Sequence, residues 1–431
     1  MYQTTLTLLL TLFISLSLSG QQLSKKEKKI ADYIDAHTEE AIQFLEEIVN
    51  INSGTMNHEG VRKVGKAFEP EFAELGFEVN WIDLPPEVNR AGHLFAEKKG
   101  KKGKKVLLIG HLDTVFEEDS KFQKYEEKEN QRADGPGAAD MKGGDVVILY
   151  ALKALKEAGV LDDAQIVVAL TGDEEKPGTP ISVTRKALIE AGKNADIALG
   201  FETGRKGMAV VARRSSTEWK LEVSGTRAHS SGIFSENVGS GAIFETARIL
   251  NAFHEKVKGE KYLTFNPGVI LGGTEVTYDD ANSIGTAFGK TNVVSQKVIV
   301  EGGIRTISEE QLKNAQEKMR EIVENDHLPK TDAKIEFFEG YPPMSPNPAN
   351  YELLEKYSQI SQKLGYEKIE AYDPGARGAA DISFVGFIPA LGGLGIYGSG
   401  AHTPNEDVDL ASFSIATKRA ALFIYELIQG K

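Results

Sequence analysis

Cysteine is absent from all 431 residues. That excludes a disulfide framework and any thiolate ligand, so a metal held by this chain must take its donors from oxygen and imidazole nitrogen. Positive charge is scarce: 50 Lys and Arg stand against 63 Asp and Glu, a net charge of -13. A nucleic acid or an anionic membrane needs a basic face, so neither is expected as the main partner. The one dense basic run, "EKKGKKGKK" at 97–105, lies between strand-like "HLFAE" and "VLLIG" and reads as a solvated hairpin turn. Long apolar runs are missing too, apart from "TTLTLLLTLFISLSLS" at 4–19, which is too short and too rich in Ser and Thr for a comfortable membrane span. Ser17 and Ser19, at the end of the run, are the small residues expected before a cut, and the charged "SKKEKK" follows. Residues 1–20 are therefore expected to be a secretory signal peptide, with the mature protein exported to the periplasm or medium. The leading "MYQTT" carries no Lys or Arg, which leaves an uncleaved anchor as the alternative.

What the chain does have is enough apolar residue, 41%, for two cores, and a length that makes two domains the expectation. Residues 25–50 have a 3.6-residue apolar period and read as a helix. Short apolar strands then alternate with helices: "VLLIG" at 106–110, a helix over 143–157, "IVVAL" at 166–170, a helix over 181–191 and "IALGF" at 197–201. Continuous apolar strands separated by helices predict an α/β domain whose central, mostly parallel sheet is covered on both faces. From about 213 the texture changes to alternating strands, "STEWKLEVSG" and "KTNVVSQKVIVEGGIRT", with amphipathic helices between them. One of these helices is 308–324, with Ser308 and Gln311 as a capping box. The order of elements over 213–342 is a split βαβ plan, βαββαβ, of a small α+β domain. "YPPMSPNPAN" marks a linker back to helix and strand patterns. The expected organisation is a first domain formed by 21–212 and 343–431, with 213–342 inserted into it.

Ligands of such sheets gather beyond the carboxyl ends of the strands. His111 and Asp113 follow "VLLIG", Asp140 lies in "DGPGAADMKGG", Glu174 and Glu175 follow "IVVALTGD", Glu202 follows "IALGF", and His402 lies in "GIYGSGAHTPNEDVD". Two imidazoles and several carboxylates at one rim are what a pair of divalent cations needs, zinc first, with cobalt or manganese as alternatives. A metal pair would also account for three consecutive acids, Asp173 to Glu175, at the end of a buried strand: one glutamate binds metal and the other stays free as a general base. Asp113 is two residues from His111 and suits a partner for its ring N–H. Competing motifs fail. "GAADMKGG" lacks the Ser/Thr and the spacing of a phosphate loop, "GLGIYG" leads into no helix, and no Ser has Gly on both sides at the spacing of a nucleophile elbow.

The set "GHLDTV", "DGPGAADMKGG", "TGDEE", "GFETG", "TRAHSSG" and "AHTPNEDVD", in this order, resembles the M20 metallopeptidase family, and within it the glutamate carboxypeptidase branch. The resemblance implies a dinuclear zinc exopeptidase acting on small peptides or N-acyl amino acids, with a zinc-exopeptidase-like catalytic domain and an inserted lid through which two chains form a homodimer. It implies that His111 and Glu202 bind one zinc, Glu175 and His402 the other, and that Asp140 bridges; Glu174 is the base, Asp113 orients His111, and the Asp140–Met141 peptide is cis. In the lid, His229 matches a position that polarises the scissile carbonyl, often from the other subunit, and Asn292 and Arg305 match positions that hold the substrate carboxylate. Where glutamate-specific members carry an Arg-rich segment, this chain has "FFEGYPPM", with Glu339 and Tyr341. Aminoacylase, dipeptidase and desuccinylase-type deacylase activities are the alternatives within the family. A secreted binding protein that kept the fold without the chemistry is the alternative of another class.

Overall fold

The computed structural model describes residues 22–280 and 283–430, so the segment expected to be a signal peptide lies outside the described residues. Its centre is a six-stranded sheet in the order Glu78–Ile82, His93–Lys99, Ala164–Thr171, Lys102–His111, Ile197–Gly200, Ala390–Leu391. Only His93–Lys99 runs against the others. Alternate residues of the two central strands feed two different cores. Val106, Leu108, Ile166 and Val168 face the helices Thr38–Val49, His58–Glu74, Gly143–Glu157 and Ala411–Ile428. Leu107, Ile109, Val167 and Ala169 face Leu188, Ile382 and Val385 on the other side. Both faces are dry, which is why these strands read as unbroken apolar runs.

Three expectations need correction. The basic run is exposed but is not a hairpin turn, because Ala164–Thr171 lies between the two strands that the run connects. A strand apolar on both faces is best buried in the middle of the sheet, and the amides of Gly100 to Lys102 bond to the carbonyls of Asp163 and Ala164 at its start. The helix expected over 25–50 is two helices, Lys25–Ala36 and Thr38–Val49. At the break, the Thr38 hydroxyl donates to the Ile34 carbonyl (2.8 Å) and His37 Nδ1 lies 2.8 Å from the Tyr33 carbonyl, so side chains cap groups that a continuous helix would use. The helix expected over 181–191 is likewise split at Arg185 into Ile181–Thr184 and Lys186–Lys193.

The insert is built as βαββαβ, with sheet order Thr264–Gly273, Lys297–Arg305, Thr217–Gly225, Thr331–Phe337, all antiparallel. Helices Ala242–Lys256 and Glu309–Glu324 complete its core around the fully buried Trp219, whose ring meets Phe253 edge-on at 5.8 Å. Gly302 pairs with Trp219 across the sheet, and a Cβ there would come within 2.4 Å of the indole, so "EGG" reads as space left for the tryptophan. A hairpin, Glu275–Asp279 with Ile284–Phe288, is an addition to this plan. At the start of the second helix Ser308 accepts from the Gln311 amide, but the Gln311 side chain accepts from Ile307 rather than Ser308, so the box closes one residue early. Two crossings join the insert to the rest, and they pair antiparallel with each other: Arg213 with Met344, and Ser216 with Tyr341.

Within the lid core Glu245 accepts from Arg248 (2.7 and 3.1 Å) and from the Leu328 amide (2.9 Å). Burial pushes its pKa up, but these donors outweigh it and hold the carboxyl below the ordinary glutamate value. A folded pKa below the unfolded one adds stability that is present above the unfolded pKa and is lost as pH falls through the folded one. Glu245→Gln is therefore expected to cost about 2 kcal/mol at pH 7. The difference from the parent, measured by chemical denaturation, shrinks as the pH is lowered below the ordinary glutamate value, and a pH-independent difference contradicts this account.

Candidate metal centre

Three neighbouring parallel strands end at one level, His111 opposite Thr171 and Ile109 opposite Gly200. Their C-terminal loops therefore deliver His111, Glu174 with Glu175, and Glu202 to one place. Asp140 comes from the tight turn Ala138–Lys142 that leads into helix Gly143–Glu157, and the Asp140–Met141 peptide is cis, as the resemblance implies. His402 comes from the turn after Gly398–Ser399, with a positive φ of 64°. The same turn carries Glu406, whose Oε1 accepts from the amides of Ala139 (2.9 Å) and Asp140 (3.1 Å). One loop thus supplies an imidazole and fixes the backbone of the aspartate that faces it.

Asp140 stands between the two histidines. Its Oδ1 lies 3.4 Å from His111 Nε2 and its Oδ2 3.2 Å from His402 Nε2. Glu202 Oε1 is 3.7 Å from His111 Nε2, and Glu175 Oε2 is 3.1 Å from His402 Nε2. The cluster falls into two half-sites, His111 with Glu202 and His402 with Glu175, that share Asp140. His111 Nε2 and Glu175 Oε1 are buried without a hydrogen-bond partner, as atoms aimed at a cation are. Tight groups of donors, His111 with Asp140 and Glu175, and His111 with Glu174 and Glu202, lie within 4.8 Å of one another. All donors are oxygen or imidazole nitrogen, so the set fits borderline divalent metals such as zinc.

Asp113 lies against His111 Nδ1 with both its carbonyl and its carboxylate. The closer partner of His111 Nδ1 is the Asp113 carbonyl at 3.0 Å, against 3.4 Å for Oδ1. The fully buried carboxylate also accepts from the amides of Glu174 (3.0 Å) and Glu175 (3.1 Å) and from the Thr55 hydroxyl (2.7 Å), and so holds the loop that carries both glutamates. Burial pushes the Asp113 pKa up, but His111 and these donors outweigh it and bring it below the ordinary value. The three consecutive acids divide their surroundings. Asp173 is fully buried against Arg185, which donates to its carboxylate (2.5 Å) and its carbonyl (2.9 Å). Glu174 and Glu175 face the cluster. Arg185, Asp381 and Tyr341 complete this buried network and are not among the expected site residues, because the partners that define their roles are distant in sequence.

Arg305, held by its backbone in the strand Lys297–Arg305, reaches the cleft in front of the cluster, among Glu174, Glu175, Phe338, Glu339 and His402, and its side chain makes no hydrogen bond or ion pair with any described residue. Asn292 and His229 are not brought there. Both are exposed and adjacent on the lid, where the Ser230 amide bonds to the Asn292 carbonyl and His229 Nδ1 lies 2.8 Å from Ser231 Oγ.

The electrostatics are those of a site that stores protons. His402, through Asp140 and then Glu175, is raised to about 11, and His111 is raised well above its ordinary value because its carboxylate partners overcome burial. Asp140, despite burial, is held well below the carboxylate range by the same two histidines. Burial, together with the nearby Asp140, pushes Glu202 to about 7. Burial, together with Glu202 and Asp381, pushes Glu174 well above the usual range.

The family model for peptidase family M20/M25/M40 matches residues 107–426. The chain is 28% identical over 421 residues to carboxypeptidase G2 from Pseudomonas sp. (strain RS-16), covering 96% of this chain and 95% of that one. Among solved structures, aminopeptidase PepT from Bacillus cereus ATCC 10987 aligns with a TM-score of 0.69 at 19% identity, covering 90% of this chain and 98% of its own. The YXEP protein of Bacillus subtilis, described as a dinuclear metal-binding peptidase from the M20 family, aligns with a TM-score of 0.63 at 15% identity, covering 92% and 100%. These two likenesses concern the fold: a central sheet with an inserted α+β lid.

Cations that enter this cluster must displace protons from His111 and His402, since a metal ligand is a neutral imidazole. With the His402 pKa at about 11 in the metal-free protein, binding at pH 7 releases at least one proton per chain. Affinity then rises as pH rises, about tenfold per unit for each proton released. Calorimetry of the metal-free protein with zinc, in buffers of different ionisation enthalpy, checks the sign; proton uptake or a pH-independent affinity contradicts it.

Proposed function

This chain belongs to peptidase family M20/M25/M40, and from that premise we propose that it is a two-zinc exopeptidase of the carboxypeptidase type that hydrolyses the amide bond of small peptides or N-acyl amino acids. The observation that carries the proposal is the sharing of Asp140 between His111 and His402, each with its own glutamate, beside a third glutamate, Glu174. In this reading His111 and Glu202 would hold one ion and His402 and Glu175 the other, with Asp140 available to both. When bound, the two ions supply Lewis-acid polarisation of the scissile carbonyl and acidify the attacking water.

The remaining steps belong to side chains. Glu174, buried and with its proton affinity raised, takes the proton of the attacking water and passes it to the departing amine. Asp113 keeps Glu174 in place by binding its amide. Arg305, without a partner and half-buried in the cleft, receives the carboxylate of the substrate. His229 and Asn292 are assigned to carbonyl polarisation and carboxylate binding in a neighbouring copy. The exposed apolar residues Phe234, Ile243, Phe244, Ile270, Ile284 and Phe288 of the lid favour the homodimer this needs. Export to the periplasm or medium is proposed on the strength of residues 4–19.

The cleft also bears on the choice of substrate. Glu218 and Glu339 line it with Phe337 and Phe338, and Arg305 is its one arginine among the described lining residues. With Arg305 committed to the substrate's carboxylate, an acidic side chain meets two more carboxylates. A panel of N-blocked dipeptides is expected to show faster turnover for neutral or basic C-terminal residues than for glutamate, and a strict preference for glutamate contradicts this part.

Glu174→Gln is the direct test of the chemistry. Turnover of the best substrate in the panel is expected to fall by about 10² to 10⁴, with metal content, measured by elemental analysis, unchanged. Near-normal turnover in that variant rules out the role given to Glu174, and turnover that survives a chelator rules out the metals.

A further inference from the structure

Tyr341 was singled out in the sequence only because it stands where an arginine-rich segment is found in glutamate-specific relatives, and hydrolysis as described makes no use of it. It lies in one of the two crossings between lid and catalytic domain. Its own backbone pairs with Ser216 of the other crossing, through two bonds of 2.9 Å. The ring is buried and packs edge-on against Phe384 with centroids 4.9 Å apart. From there the phenol reaches into the catalytic domain. Arg185 Nη2 donates to Tyr341 Oη (2.9 Å), and Oη lies 2.8 Å from the carbonyl of Glu174 and 3.2 Å from Asp381 Oδ1.

A phenol has one proton to give. Asp381 is already supplied: Oδ1 accepts from Arg185 Nε (2.7 Å) and Oδ2 from the Thr171 hydroxyl (2.5 Å). The Glu174 carbonyl has no other donor among the described residues, and it is the shorter contact. The proton therefore goes to Glu174. The amide of the same residue donates to Asp113 (3.0 Å). Both backbone polar groups of Glu174 are thus held, the N–H by the catalytic domain and the C=O by a side chain rooted in the lid hinge.

We propose that Tyr341 is a positioning residue that ties the hinge of the lid to the backbone of Glu174, so that the direction of the Glu174 side chain is set from the hinge. The inference rests on Glu174 as the base. Arg185 is the anchor of the tie: it is fully buried, fixed by Asp173 and Asp381, and turns one N–H to the phenol oxygen so that the phenol proton points to Glu174.

Tyr341→Phe removes only the hydroxyl and keeps the ring packing. Two measurements on the full-length protein decide the matter. In the metal-free protein, amide hydrogen exchange over residues 172–178 is expected to quicken about tenfold in Tyr341→Phe, with the lid core unchanged; equal exchange in that loop overturns the tie whatever the activity. In the metal-loaded protein, Tyr341→Phe is expected to lower kcat about tenfold at unchanged KM and metal content. In a Glu174→Gln background the same change is expected to lower the residual rate less than twofold, because a residue that acts through Glu174 has nothing left to act on. An equal loss in both backgrounds, or a loss that follows only the unfolded fraction, overturns the proposal. If Glu174→Gln itself proves active, the reading of the base has failed, and the exchange experiment still decides whether the hinge holds the loop.

Discussion

Several carboxylates and two imidazoles cannot be packed into the rim of one sheet without compensation, because each buried charge loses its hydration and repels its like neighbours. In this protein Asp140 is the pivot of that compensation. It lies between His111 and His402, at 3.4 and 3.2 Å, and each histidine has a glutamate of its own. Without metal, protons on the histidines balance the acids. With two cations in place of those protons the cluster has a use for every donor, including the buried His111 Nε2 and Glu175 Oε1.

Around the pivot, backbone geometry is fixed by groups that do not face the cluster. Asp113 binds the amides of Glu174 and Glu175, Glu406 binds the amides of Ala139 and Asp140, and Arg185 neutralises Asp173 behind them. The sequence "DEE" therefore has two answers to the problem of crowded acids rather than one. The first acid is paired with a buried guanidinium and belongs to the scaffold; the other two are left to the site. Rigid support of this kind is what lets catalytic side chains keep their aim.

Much of this architecture could be read in the chain because the period of the apolar residues and the strand ends are local signals. "VLLIG", "IVVAL" and "IALGF" gave the parallel strands, and the acids and histidines just beyond them gave the cluster. What could not be read is set by pairing between distant segments. Nothing local in "EKKGKKGKK" says that Ala164–Thr171 will come between the strands it joins. Nothing in a 3.6-residue period announces that His37 and Thr38 will cap the preceding turn. The partners of Asp113 and Arg185 lie up to 196 residues away, as Arg185 and Asp381 do, so their roles emerge only in three dimensions. His229 and Asn292 show the complementary case: their motif is legible, yet within one chain they remain on the lid surface.

The measurement closest to the central claim is anomalous diffraction from crystals of the full protein grown with zinc. Two peaks are predicted, one between His111 and Glu202 and one between His402 and Glu175, with a carboxylate oxygen of Asp140 directed at each. A single peak, or peaks away from Asp140, would contradict the account.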